Sequence, residues 1–592
     1  MPMIKKVHKK PPVDGPVVPN NSPVSAPVSA PVPDPNPNAG VIGANWSGAG
    51  TKLNWSGVKL RSVHEKAIVI AFNTDIVGDM NRKLAQGPGK LDPTPEQSMF
   101  LEELTHAGNI TLKALAGTGK STTIRMGIHK LGKPAESRTV HSLGNQVWKQ
   151  IHNYAQIAED KVRIILDDFE AQHPQHKGML FQCGRYNIVR IVDILKQCGV
   201  GVLLQPDPEV VLTLIDRYGI DLAHADNYGN SGQPTSALVF AVEVALLILK
   251  MSTDLDPKVI DFNDQLRAPL VHNVPDYMFP KFRHVFVDEA QDLSELRCAV
   301  MSRMIAPDGQ IVVVGDVFQS IYGFSGAMTN AMENMTKQFN CKELALTVTH
   351  RCPKKVVELA REWVPEYKAA KTNAMGSVAH IPEGKFNWKD LQPEDAVLCR
   401  VNKPLMDLAF QCVANGKGVR VEGRDIGQTI KSYMQKWPSI KTLPALDSKM
   451  REYLADQKEK LNAKNREQQA LKVEEKVELV RSVIAGCIDN RVTRVEDAIK
   501  FIDNLFTNGD RDKRQLTTFS SVHKAKGREW GKVYLLGRNE YMPSKRVLAQ
   551  GIPEFIKQED NLQYVAVTRV MKDLVEIDVE PKKREGKFRE EF

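Results

Sequence analysis

No uninterrupted run of roughly 18 or more apolar residues occurs in this 592-residue chain, which argues against a transmembrane helix. The N-terminus is charged but lacks the apolar core of a secretory signal. The eight cysteines, at positions 183, 198, 298, 341, 352, 399, 412 and 487, never fall into a CxxC pair. Neither a zinc site nor a redox pair is therefore expected. Several sit in apolar surroundings, as in Val397-Leu398-Cys399, where a reduced buried thiol is the natural reading. The Asn-Trp-Ser sequons at Asn45 and Asn54 carry no meaning without secretion. Nor does charge of one sign dominate. A net charge of +9 and a pI near 8.9 are compatible with a polyanionic partner but are shared by many soluble proteins.

The length calls for several domains. Residues 1–45 are rich in Pro, Val, Ser and Asn, with the repeat PVSAPVSAPVP, and are expected to form a disordered arm. The arm's basic start, Lys5 to Lys10, could touch DNA or remain a solvated tail, and the arm itself could hold a protein partner. The repeat Asn45-Trp46-Ser47-Gly48 and Asn54-Trp55-Ser56-Gly57 reads either as a stacking surface or as a docking segment. From residue 67 the pattern becomes α/β. Strands are expected at 67–72, 112–115, 282–287, 311–314, 344–348, 396–398, 516–519, 532–536 and 574–577. Residues 145–280 read as helical, with Trp148, Leu203 and 237–249 as core. Residues 446–484 read as a charged helical hairpin, with Leu446, Met450, Leu454 and Leu461 at helical spacing.

Three segments carry chemistry. Ala114-Leu115-Ala116-Gly117-Thr118-Gly119-Lys120-Ser121 follows a strand and opens a helix. Glycines there let backbone N–H groups wrap phosphates at a helix N-terminus, with Lys120 on the β/γ-phosphates and Ser121 on Mg²⁺. Ala116, Gly117, Thr118, Gly119 and Thr122 complete that cradle, although the first glycine of the pattern is Ala114. Val285-Phe286-Val287-Asp288-Glu289-Ala290-Gln291-Asp292 is an apolar strand followed by carboxylates. Asp288 suits Mg²⁺, and Glu289 suits orientation and deprotonation of an attacking water. Gly315 to Ala327, GDVFQSIYGFSGA, places Gln319 at a strand end with Tyr322 and Phe324 beyond it. An amide near a phosphate joined to aromatics that can stack on bases is the composition of a transducer. Arg351 and Arg569 each end a strand-like run, where an arginine can reach a γ-phosphate across a cleft.

The ordered series resembles superfamily 1 DNA helicases of the UvrD/Rep/PcrA kind, over about residues 67–577. Thr94-Pro95-Glu96-Gln97 is similar to the adenine-reading Q motif, with Gln97 on the base, and Thr139 to Leu143 to the DNA-contacting HSL motif. Val522 to Trp530 resembles the HSAKGLEF motif, and Glu559 to Arg569 the last motif, with Arg569 as arginine finger. By this resemblance Lys120, Asp288, Glu289, Gln319, Arg351 and Arg569 are catalytic. Gln97, His350 and Glu529 join the P-loop in binding ATP. Phe72, His141, Tyr322, Phe324, Arg400, His523 and Lys526 are expected on DNA. His350 stands where the family stacks adenine on Tyr, and Ser325 where it has an Arg. Ala71-Phe72-Asn73-Thr74 looks like motif Ia but precedes Gln97, whereas in the family it follows the P-loop helix. The N-terminal strand is accordingly expected to fill a vacant sheet position in a permuted first domain. Placement of Val69–Phe72 away from the P-loop strand would count against that.

The resemblance implies an α/β fold: two RecA-like P-loop domains with parallel sheets, each interrupted by a mainly helical insertion. The expected boundaries are 46–144 and 281–340 for the first domain, with the helical insertion 145–280. They are 341–402 and 511–580 for the second, with a reduced accessory insertion 403–510, followed by a charged tail at 581–592. The implied function is an ATP- and Mg²⁺-dependent motor moving 3′→5′ on single-stranded DNA and at single/double-strand junctions. It would be a monomer or weak oligomer in a bacterial or phage-infected cytoplasm, with no membrane partner. A phage or mobile-element origin would fit the compact size. Alternatives are a translocase that strips proteins with little unwinding, a helicase–nuclease, and a non-catalytic DNA-binding scaffold. The few residues after the last strand speak against the nuclease, and intact Lys120, Glu289, Gln319 and Arg569 against the scaffold.

Overall fold

The computed structural model describes residues 63–71, 73–87, 92–106, 108–222, 225–229, 232–323, 330–415, 417–422, 424–462, 467–506 and 516–580. The chain divides into units 1–43 and 44–592, and every described residue belongs to the second. The Pro-rich arm, the Trp repeat, Phe72, Phe324, Ser325 and the 581–592 tail lie outside the described residues.

The first sheet has six parallel strands: β1 (Ala67–Ala71), β2 (Ile110–Ala114), β3 (Ala135–Thr139), β4 (Phe282–Val287), β5 (Ile305–Gly315) and β6 (Lys342–Leu346). They lie in the order β3-β1-β4-β5-β2-β6. Near-continuous apolar runs such as Ala67-Ile68-Val69-Ile70-Ala71, buried throughout, are what a sheet covered on both faces requires. The P-loop strand β2 leads through helix Lys120–Lys130 to β3 at the far edge, so the chain skips three positions. β1 fills the one between β3 and β4, in register with both. It belongs to the P-loop sheet but is not the P-loop strand's neighbour, because β4 and β5 intervene. The expected closeness to β2 is corrected to that extent for Val69–Ala71. After β1, Asn73 caps helix Thr74–Ala85 through its side chain. The Asn81 amide then both donates to and accepts from the Ser137 backbone, which occupies polar groups of edge strand β3.

Between β3 and β4 the chain builds a helical insertion around helix Ser236–Leu255. That helix is long and apolar enough to cross a membrane by length and composition, with mean hydropathy 1.8. More than half of the window, 56%, is nevertheless buried inside the protein. Trp148 is fully buried as expected. Leu203 is not core but 46% exposed, in a turn where its N–H donates to Gly199 O (2.8 Å).

The second sheet is also parallel: β7 (Ser377–Pro382), β8 (Ala396–Cys399), β9 (Val419–Val421), β10 (Thr517–Ser521), β11 (Trp530–Leu536) and β12 (Val570–Asp578), ordered β7-β12-β11-β8-β10-β9. Two boundaries move. β6 pairs with β2, so the first domain runs past residue 340 to Leu346, and the crossing to the second domain follows. β9 pairs with β10, so residues 403–421, placed in the accessory insertion from sequence, complete the second sheet by a strand–helix–strand crossover. A three-residue strand is too short to register as alternation. Helices Leu443–Asn462 and Glu467–Asp489 pack on each other, with Leu446 and Met450 buried and Leu454 half-buried. The side chain of Leu461 lies outside the described residues. Their core is continuous with Phe519 and Ile577 of the second sheet.

Candidate functional site

The strand ends of the first sheet carry the predicted phosphate machinery together. Gly117 (φ 69°) and Gly119 (φ 89°) adopt left-handed backbone before helix Lys120–Lys130, whose first turn holds Ser121 and Thr122 half-buried. Thr118 Oγ1 donates to Leu115 O. Lys120 Nζ lies 3.2 Å from Glu289 Oε1. Burial opposes the ammonium charge, but Glu289, Asp316 and Asp288 outweigh it, and the Lys120 pKa is raised. Asp288 is buried at the end of β4. Its N–H donates to Ile70 O (2.9 Å), so β1 anchors the backbone that carries this carboxylate, and Glu289 N donates to its Oδ1. Burial and then the Glu289 charge raise the Asp288 pKa. Burial works against the Glu289 carboxylate too, yet Lys120 and then Lys526 hold its pKa low. Glu289 adopts φ 54° and accepts from Gln291 Nε2. Ser121 and Asp288 offer the hard oxygen donors that suit Mg²⁺.

Residues of the second domain close over this edge. Arg569 is buried. Its Nη2 donates to Gln319 Oε1 at 3.4 Å, and its other nitrogens donate to the Val565 and Arg528 carbonyls. Burial and then neighbouring Arg351 lower its pKa to about 10. Gln319 Nε2 donates to Asp316 Oδ2 at 2.6 Å. Arg351 pairs with Glu529, so two predicted ATP contacts hold each other. His350 N donates to Gly117 O, while the His350 side chain is exposed and free to stack. Gln97 is less available than the sequence implies. Its amide donates to Thr123 Oγ1, and its oxygen accepts from Thr94 N in a capping box.

Among the described residues, the predicted DNA contacts are largely engaged by other side chains. Phe72 and Phe324 lie outside the described residues. His141 is buried and stacked on Phe262 (centroids 3.8 Å apart), and burial, then Arg297, lowers its pKa to about 3. Arg400 donates to both carboxylate oxygens of Glu559 through its Nε and Nη2. Burial and Arg400 lower the His523 pKa to about 3, and Tyr322 Oη donates to His523 O. Lys526 reaches back to the first domain, donating to Asp292 Oδ2 (2.5 Å) and Gln319 O (2.6 Å), with its ammonium 4.9 Å from the Tyr322 ring. It is an interdomain link in this structure, not a free cation.

The model of the UvrD/REP helicase N-terminal domain matches residues 210–340, which span the Asp288–Asp292 carboxylates and Gln319. The chain is 22% identical over 489 residues to the ATP-dependent DNA helicase PcrA of Leuconostoc citreum, covering 62% of this chain and 64% of that protein.

Over these stretches the chain is similar to helicases of the UvrD/Rep/PcrA type.

The ATP-dependent DNA helicase UvrD2 of Mycobacterium tuberculosis is 25% identical over 360 residues, covering 52% of this chain and 50% of that protein. The ATP-dependent DNA helicase Srs2 of Schizosaccharomyces pombe is 27% identical over 160 residues, 26% of this chain and 18% of that one. The chain thus spans about half to two-thirds of the length of these two relatives. Sequence reasoning missed Phe262, which is 55% exposed on the outer side of His141. An aromatic between Asp261 and Asn263, in a stretch otherwise read as helix, was the signal. It also missed Asp316, which is hydrogen-bonded to nearby Gln319 as well as to distant Gln291, and Tyr367, whose Ala116 partner is 251 residues away.

Proposed function

We propose that this UvrD-type chain is an ATP-driven motor that steps 3′→5′ along single-stranded DNA and separates duplex ahead of it. The observation that carries the reading is the meeting of Gln319 of the first domain with Arg569 of the second, beside Lys120, Asp288 and Glu289. ATP phosphates would lie in the P-loop amides and on Lys120, with Ser121 and Asp288 holding Mg²⁺, which would neutralise phosphate charge. Lys120 must then exchange Glu289 for phosphate, which frees Glu289 Oε1 to take a proton from water. Arg351 must likewise leave Glu529. Gln319 and Arg569 sit where they can sense the γ-phosphate from opposite domains. Lys526, bound to Asp292 and to Gln319 O, joins that sensor to the segment bearing His523.

On the DNA side, Phe262 with His141, Tyr322, and the segments at Phe72 and Phe324 are read as stacking positions for unpaired bases. The first domain is read as permuted, with β1 in the place between β3 and β4 supporting that order. The compact helical unit within 424–506 favours a second reading, translocation with little unwinding. Duplexes with 3′ or 5′ single-stranded tails test both. Unwinding only from 3′ tails is expected. Unwinding from 5′ tails alone would overturn the polarity, and protein displacement without unwinding would establish the second reading.

A further inference from the structure

The backbone N–H and C=O of Ala116, at the mouth of the P-loop, are held by hydroxyls from two separate places in the second domain. Ala116 N donates to Tyr564 Oη at 3.0 Å, and Tyr367 Oη donates to Ala116 O at 2.7 Å. Both tyrosines are fully buried. Their rings meet edge-on, with centroids 5.7 Å apart, and Tyr564 also meets Phe318, the residue before Gln319, at 6.1 Å. Tyr564 lies on helix Pro553–Val567, which ends just before Arg569. Tyr367 follows the Arg351 segment and lies 3.3 Å from Cys352 Sγ. The backbone of the next residue, Gly117, is closely covered: a Cβ there would come within 2.5 Å of Thr349 Oγ1 and 2.6 Å of Arg351 Cβ. P-loop shape, the Gln319 segment and both arginine-bearing segments therefore converge on the backbone of Ala116 and Gly117.

Resting on the ATPase reading, we propose that Tyr367 and Tyr564 are positioning residues whose hydroxyls set the P-loop backbone only when the second domain is seated. They make phosphate-loop geometry a consequence of domain closure. A hydroxyl deep in a protein could serve packing alone, but packing alone would not require both hydroxyls to meet the donor and the acceptor of a single P-loop residue. The bracket contributes to hydrolysis and not to general affinity, because ATP can meet the P-loop amides before closure, whereas Arg569 and Arg351 act only after it. A loss confined to the closed state lowers kcat and leaves KM little changed.

The test uses Tyr367→Phe and Tyr564→Phe in the full chain, which keep the rings and remove only the hydroxyls. Hydrogen exchange of the 115–119 backbone, measured without nucleotide, needs no activity. We expect exchange there to accelerate several-fold in each variant, with melting temperature and exchange elsewhere unchanged. We also expect kcat for DNA-stimulated ATP hydrolysis to fall by about three- to tenfold, the range one neutral hydrogen bond supplies. Wild-type exchange at 115–119 together with wild-type kcat would overturn the proposal. So would faster exchange spread over the whole chain, which would mark a structural role. A wild-type chain with no ATPase activity would refute the ATPase reading separately, and the exchange measurement would still decide whether the hydroxyls set the P-loop backbone.

Discussion

Replacing Ile70 with alanine should destabilise the first domain and its carboxylate site together. Ile70 is fully buried in β1 and packs in the core that includes Val140, Leu143, Val285 and Val287. Truncating such a side chain costs about 2–5 kcal/mol, depending on how far the cavity collapses. That is a large part of the roughly 5–15 kcal/mol that stabilises a typical domain. The backbone consequence is more specific. Ile70 O accepts from Asp288 N, so slack in β1 reaches the carboxylate that would hold Mg²⁺. Urea unfolding and ATP hydrolysis should both suffer in Ile70→Ala. Arg82→Ala, on the exposed side of the following helix, should stay within about 0.5 kcal/mol of wild type. A chain starting at residue 74 should fail to fold its first domain cooperatively, whereas one starting at residue 63 keeps all of β1. If Ile70→Ala unfolds at the same urea concentration as Arg82→Ala, β1 is not a central strand and the reasoning fails.

Three further outcomes follow from the geometry. Gly117→Ala combines left-handed strain of about 1–2 kcal/mol with a Cβ forced into Thr349 and Arg351. ATPase activity should fall at least tenfold, while Gly78→Ala, with open space around it, stays active; equal activity would mean that the second domain does not seat on the P-loop. Lys526→Met leaves buried Asp292 without its partner and should lower stability by about 3–5 kcal/mol even without DNA, as read by denaturant unfolding. A loss of DNA binding alone would show instead that Lys526 is chiefly a DNA contact. His141 is neutral in the fold because its pKa is depressed from 6.5 to about 3, so as pH drops below 6.5 only the unfolded chain gains its proton. Stability should fall by about 2 kcal/mol from this residue between pH 7 and 5, and His141→Gln should lack that component in paired unfolding curves; an identical pH slope in both proteins would refute it.

What was legible in the sequence was local. An apolar run ending in a glycine-rich turn or a carboxylate pair located β2, β4 and β5 with Lys120, Asp288 and Glu289, because strand, turn and chemistry are contiguous there. The run Ala67-Ile68-Val69-Ile70-Ala71 likewise announced a buried strand. What escaped depended on partners far along the chain. Ala116 and Tyr564 are 448 residues apart, and no local pattern pairs them. At Lys526, where the motif suggests a DNA contact, the fold supplies Asp292 from 234 residues away, a pairing that no local pattern announces. β6 and β9 were given to the wrong units because pairing, not composition, decides which sheet a short strand joins.

The most direct test of the central claim is steady-state ATP hydrolysis by the full chain with and without single-stranded DNA, using Lys120→Ala as control. The account predicts strong stimulation by DNA in the wild type, and no hydrolysis by Lys120→Ala while its DNA binding is largely retained. Hydrolysis that ignores DNA, or an active Lys120→Ala protein, would contradict it.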